Sequence, residues 1–204
     1  MPGPHLIIAR LYEHLEPMDR GERYEDPLHA ALETAGLGRV TGGGSQLSES
    51  GEIDFADLEI ELANLDNALA VAVATLEQAG APVGSEILDE DKVLRQFGTT
   101  QRLAIFLDGV SLPDDVYANL DFDDVVAQLG NAAGADSYHG FWQGAEETGL
   151  FFFGPDAEAM FARAEPVLAV LPIGQNARVV VRHEKSGVAP RTVRMPRRKL
   201  AAQR

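Results

Sequence analysis

The 204 residues contain no cysteine. Disulfides, thiolate metal sites and cysteine nucleophiles are therefore excluded. Long apolar runs are also missing. The longest, Ala68 to Ala74, falls far short of the roughly 20 residues of a membrane-spanning helix. The opening Met-Pro-Gly-Pro-His has no charged region followed by an apolar stretch, so no signal peptide is expected. The expected location is cytoplasmic. Histidines are few: His5, His14, His29, His139 and His183. No two lie i, i+4 on a helix, so the zinc-hydrolase pattern is absent and no metal or other cofactor is expected. Ser45, Ser48 and Ser50 lack a Gly-x-Ser-x-Gly elbow.

Basic side chains are scarce as well, 17 against 32 acidic ones, for a net charge of −15. Eight of the 17 sit in residues 182–204 beside one acid, Glu184. The first 181 residues hold the other 9 basic and 31 acidic side chains, a net of −22. Such a body repels nucleic acid and anionic membranes and attracts cationic partners. Nucleic acid is expected as a partner only through the basic tail, and a membrane is not expected. Hydrophobic residues make up 45% of the chain, enough for a packed core.

Two similar passes of alternating pattern run along the chain. His5 to Glu13 reads as a strand. Asp26-Pro27 reads as a helix start, with Leu28, Ala31, Leu32 and Ala35 at helical spacing and Gly36 as the stop. A weak glycine-broken strand follows, Arg39 to Leu47. In residues 55–62, Leu58, Ile60 and Leu62 alternate with Asp57, Glu59 and Glu61, the cleanest strand signal in the chain. Asn64 or Asp66 caps a helix to about Ala79, and a short strand runs near Val83 to Leu88. After an acidic linker, Asp89-Glu90-Asp91, the pattern restarts. It runs through a strand Arg102–Val110, a helix Asp121–Ala133, a hairpin over 136–154, a helix from Pro155-Asp156, and a last strand Arg178–Arg182.

This order predicts an α+β protein of two tandem ferredoxin-like βαββαβ units. Each would be an antiparallel or mixed four-stranded sheet with two helices on one face. The expected division is 1–90, 101–184 and a flexible basic tail, 185–204.

The uncovered sheet faces supply the candidate site residues. In the first half, Asp57, Glu59 and Glu61 point away from the helices, with Arg10 as their natural internal partner. In the second half, Phe106 and alternate members of Phe151-Phe152-Phe153 form an apolar face that should meet something. Tyr138, His139, Phe141 and Trp142 make the densest aromatic patch, apparent on one strand. Acid pairs such as Asp114-Asp115 and Asp123-Asp124 fall at turns and helix starts, where capping accounts for them. Gly42-Gly43-Gly44-Ser45 has no lysine nearby and reads as a hairpin or bulge rather than a phosphate loop.

The stretches Gly38-Arg39-Val40-Thr41-Gly42-Gly43-Gly44-Ser45, Ile60-Glu61 and Ala79-Gly80-Ala81-Pro82-Val83-Gly84-Ser85 resemble small acidic bacterial proteins of unknown function. The resemblance covers about residues 6–88. It implies a ferredoxin-like unit. Some such proteins are immunity or accessory factors, and no functional residue is carried over.

The leading expectation is a non-catalytic binding protein of immunity or inhibitor type, recognising a basic protein. Asp57, Glu59, Glu61, Phe106, Tyr138, His139 and Trp142 would make the contact. The alternative is an enzyme or small-ligand binder at the junction of the halves, with Arg10, Arg102, His139 and Trp142 around an anionic ligand. A third reading is a structural or regulatory homodimer joined through the Phe-rich face.

Overall fold

A computed structural model describes residues 5–182 and 189–195. The chain divides into two compact units, Met1–Thr100 and Gln101–Arg204.

The first unit holds strands β1 (His5–Leu11), β2 (Gly38–Leu47), β3 (Ile53–Leu62), β4 (Ser85–Asp89) and β5 (Lys92–Phe97). Its helices are α1 (Pro17–Arg20), α2 (Asp26–Ala35) and α3 (Leu65–Gln78). The sheet order is β2-β3-β1-β4-β5, and every pairing is antiparallel. The second unit repeats the plan. Its strands are β6 (Gln101–Asp108), β7 (Tyr138–Gln143), β8 (Glu147–Gly154), β9 (Arg178–Arg182) and β10 (Arg191–Arg194). Its helices are α4 (Asp114–Ala118), α5 (Phe122–Ala133) and α6 (Ala157–Val170). Here the order is β10-β9-β6-β8-β7.

In both sheets the unit's first strand lies between its third and its fourth, the βαββαβ arrangement expected for a ferredoxin-like unit. Each sheet has five strands rather than four. The first extra strand, β5, occupies residues left between the two expected units. It folds back through the two-residue turn Glu90-Asp91, with Glu90 in the left-handed region at φ 52°. No glycine or asparagine marks that turn, and Val93 and Leu94 are adjacent rather than alternating. The second, β10, comes from the tail expected to be flexible. Its residues 191–194 pair with β9, the register running Arg191↔Val181 to Arg194↔Arg178. The rest of the tail, 185–188 and 196–204, lies outside the described residues.

The helix read from Asp26 starts nine residues earlier. Pro17 opens α1, and a π-helical turn, Gly21–Glu25, joins it to α2 without a break. Asp26 therefore does not cap; its N–H reaches back to the Gly21 carbonyl, five residues away. Pro27 has no N–H to give to residue 23, and the wider turn just before it absorbs the lost bond. Gly36 ends α2 in the left-handed conformation, φ 66°. Asn64, Asp121 and Asp156 cap α3, α5 and α6 through their side-chain oxygens.

The alternation along β3 decides where the core lies. Ala56, Leu58, Ile60 and Leu62 pack against Leu28, Leu32, Ala72 and Leu76 of α2 and α3, all fully buried. In the second unit, Leu103, Ile105, Leu150 and Phe152 do the same against Leu129, Ala133, Met160, Ala164 and Leu168. Each unit thus keeps its helices on one sheet face and leaves the other face to different chemistry.

The glycine run expected as a hairpin or bulge lies within β2, with a register shift between Val40 and Gly42. Arg20 donates from Nε to Glu25 Oε1 at 2.6 Å and from Nη1 to Ser45 Oγ at 3.1 Å. That pair crosses the strand at Gly43, where a Cβ would lie 2.6 Å from Glu25 Oε1 and 2.7 Å from the Asp57 carbonyl. At Gly44 a Cβ would meet nothing within 4 Å. Gly43→Ala is expected to destabilise by about 1–3 kcal/mol and Gly44→Ala by less than about 0.5 kcal/mol. Urea unfolding of both variants checks this. Equal midpoints would contradict the close seating of the Arg20–Glu25 pair on β2.

Candidate functional site

Because Leu58 and Ile60 face the helices, Phe55, Asp57, Glu59 and Glu61 face the other way. The register sets Arg10 opposite Asp57, Ile8 opposite Glu59 and Leu6 opposite Glu61. On the other flank stand Gly44, Gly42 and Arg39 in the same order. Arg10 grips Asp57 with two bonds, Nε to Oδ1 at 2.9 Å and Nη2 to Oδ2 at 2.8 Å. The bond to Asp57 raises the Arg10 pKa further, so the guanidinium stays charged. The same guanidinium lies 3.9 Å above the Phe55 ring, and Tyr12 meets that ring edge-on at 6.2 Å. The Tyr12 hydroxyl donates to Glu86 at 3.2 Å; burial first, then that carboxylate, pushes it up from its ordinary value. Arg39 donates to Glu61 at 2.9 Å.

Of the three acids on this face of β3, two therefore have an arginine. The third, Glu59, is exposed. Among the described residues no side chain makes an ion pair or hydrogen bond with its carboxylate. Next to it lies a hollow of about 210 Å³, lined by Ile8, Gly43, Gly44, Ser45, Gln46, Phe55, Asp57 and Glu59. Gly44, which lines the hollow opposite Asp57, places no side chain in it.

The second unit's matching face is aromatic. Ala104, Phe106, Phe151 and Phe153 form a small buried cluster, with Trp142 and Val180 packed on it. Phe106 is 5% exposed and Phe151 0%. Arg178 lies 3.8 Å above the Phe106 ring and is held there by Glu147. This repeats the Arg10–Phe55–Asp57 arrangement. Arg102 stands opposite Phe153 and lies 5.9 Å from the Phe151 ring centre. Arg10 belongs to the first unit, and Arg102, His139 and Trp142 to the second.

The aromatic patch read on one strand is divided by the sheet. Tyr138 packs on Phe152 at 5.7 Å and Phe141 on Phe122 at 5.2 Å, both on the helix side. His139 alternates to the opposite face, stacked on Phe153 at 4.9 Å, and a register shift between Tyr138 and Gly140 returns Phe141 to the helix side. Trp142 joins His139 on the opposite face, its ring lying over Gly144. Alternation and one bulge thus separate four residues that look contiguous in sequence.

Two polar clusters escape sequence reading. Glu13 is fully buried and accepts from the Tyr24 hydroxyl at 2.6 Å and Arg23 at 2.7 Å. Burial, then the Glu13 charge, drives the Tyr24 hydroxyl far above the ordinary tyrosine range. The group ties the π-helical turn to the end of β1. At the end of β6, Asp108 accepts from the Val110 and Ser111 N–H groups at 3.0 and 2.8 Å, the Ser111 hydroxyl and Asn176 at 3.2 Å. A hollow of about 380 Å³ lies beside Asp108, Ser111, Asn176 and Arg194. Burial pushes Asp108 up, but these hydrogen bonds, led by those from Ser111, outweigh it and hold its pKa at about 2. So acidic a carboxyl is a poor general base for Ser111 at neutral pH. No three His, Asp or Glu side chains among the described residues are placed to hold a metal ion. None of the described helices is long and apolar enough to cross a membrane.

No family model and no curated protein matches the chain. Solved structures share a distant likeness. One is the regulatory subunit of aspartate kinase from Thermus flavus, 14% identical over 81% of this chain and 93% of that one, with a TM-score of 0.27. Another is an unknown protein from Galdieria sulphuraria, 9% identical over 87% and 97%, with a TM-score of 0.29. A candidate monooxygenase from Fusobacterium nucleatum is 14% identical over 81% and 84%, with a TM-score of 0.25. The ferredoxin-like assignment stands on the strand order, not on these scores.

The Asp108 turn has a consequence in acid. A carboxyl with a lowered folded-state pKa stabilises above its unfolded value, and that stabilisation is lost as pH falls through the folded value. Its contribution should be complete above about pH 4 and fade through about pH 2. Asp108→Asn is expected to flatten the stability-versus-pH curve in that window, measured by urea unfolding. An unchanged acid limb would contradict the hydrogen-bond assignment.

Proposed function

We propose that the chain is a non-catalytic binding protein whose first unit offers its open sheet face to a cationic segment of a protein partner. The observation that carries this reading is Glu59. It is an exposed carboxylate between two arginine-matched acids, beside a hollow floored by glycine backbone. A lysine or arginine side chain entering that hollow would gain a counter-charge that the chain does not supply itself. Little is lost on binding where the ion pair stays at the surface, because both charges then keep much of their hydration. The arginine pairs on either side hold the neighbouring acids in fixed positions and define the register of any second contact.

The body's charge supports the same partner class. A net of −22 over the first 181 residues speeds encounter with a basic protein and discourages acidic ones. Immunity and inhibitor proteins work in this manner, and that class is our preferred assignment. The second unit's face supports the role less directly, since its Phe106, Phe151 and Phe153 rings are already covered. Dimerisation through those rings would first require them to be exposed.

The test separates a specific contact from general acidity. Binding of an arginine-rich peptide is compared for the original chain, Glu59→Lys and Asp123→Lys, the last an exposed acid on α5. Both variants change net charge equally. Glu59→Lys is expected to weaken binding about tenfold or more, and Asp123→Lys by no more than about twofold. Equal losses would show that only overall charge matters and would defeat the proposal.

A further inference from the structure

The partner's mode of entry follows from the outer edge of β2. Sheet order leaves β2 terminal, and among the described residues no strand pairs with its outer side. At ten residues it is longer than the other three terminal strands, β5, β7 and β10, at six, six and four. Edge strands usually carry a guard against pairing with another chain, such as lysine, proline or a covering element. β5 has Lys92 and Arg95, and β10 has two arginines. β2 contains no lysine and no proline, and its one charge, Arg39, is held by Glu61. His29 meets the Val40 carbonyl at 3.3 Å and occupies the strand's first half. Gly43, Gly44, Ser45, Gln46 and Leu47 are all exposed.

We infer that the cationic segment binds as a sixth strand along the outer edge of β2, its alternate side chains lying on the open face. This rests on the reading of that face given above and specifies the partner as an extended chain. Neighbouring strands lie about 4.8 Å apart, so an added strand would run roughly 10 Å from β3. A lysine or arginine spans most of that distance if nothing intervenes. Gly42 stands opposite Glu59 and Gly44 opposite Asp57, so at these two positions β2 places no side chain in the way. The strand edge supplies affinity through main-chain hydrogen bonds, and Glu59 selects for a positive residue at one alternate position. A second copy of the chain would fit the edge but not the charge, since both bodies are acidic.

The probe is a ten-residue peptide alternating lysine and threonine, with a twin carrying N-methyl groups on alternate backbone amides. Binding to the full chain is read by fluorescence anisotropy, and hydrogen exchange is followed over residues 38–47. The proposal expects the plain peptide to bind, the methylated twin to bind about tenfold more weakly or worse, and the β2 amides to gain protection. Gly44→Leu, which refills the gap without meeting a neighbour at Cβ, should weaken the plain peptide while leaving the unfolding midpoint near the original. Equal binding of both peptides, with Glu59 still required, would overturn strand addition but leave the open-face reading intact. No binding of either peptide would overturn both. A dimer in solution with β2 already protected would show that a second copy takes the edge, and would overturn the proposal.

Discussion

Alternation of side chains along β3 is the constraint on which the first unit depends. Shifting that strand by one residue would turn Asp57, Glu59 and Glu61 into the space now filled by Leu28, Leu32 and Leu76. Burying three carboxylates among those side chains would cost far more than a small domain's whole stability margin. The helices can therefore cover only one face, and the acids are committed to the other. The Arg10–Asp57 and Arg39–Glu61 pairs lie at register positions on the two flanking strands. They reinforce the pairing that hydrophobic burial selects.

The two units answer the same architectural question with different chemistry. Each leaves one sheet face without helices, and each places an arginine flat on a phenylalanine ring and ties it to a carboxylate. In the first unit the ring is Phe55 and the surroundings are polar. In the second the ring is Phe106, and Phe151, Phe153 and Trp142 complete an apolar patch around it. Gly149 makes that patch fit, since a Cβ there would lie 3.0 Å from the Phe106 ring. The duplication is thus of framework rather than of surface.

Much of the framework is legible in the sequence. Strong alternation at 55–62, the Gly36 stop, and caps at Asn64, Asp121 and Asp156 each carry a local physical signal. What is not legible lacks one. The π-helical turn has no sequence code of its own and is recognised only through its effect on Pro27. β5 and β10 are polar edge strands whose pairing is decided by a neighbour, not by their own pattern. The Glu13–Tyr24–Arg23 group brings residues ten and eleven positions apart together through that same turn. At the open face, the orientation of the three acids and the Arg10 contact can be read from strand order. That Arg39 takes Glu61 and leaves Glu59 alone depends on a bulge at Thr41, which only the folded strand displays.

The central claim is that Glu59 and the glycine-floored hollow form a distinct cation-binding position, set apart from the general acidity of the chain. Titration of ¹⁵N-labelled protein with an arginine-rich peptide at about 0.15 M salt, where distant charges are screened, tests it most directly. The account predicts that amide shift changes concentrate in residues 39–46 and 55–61. Changes of equal size spread over α5, α6 and other acidic surfaces would contradict it.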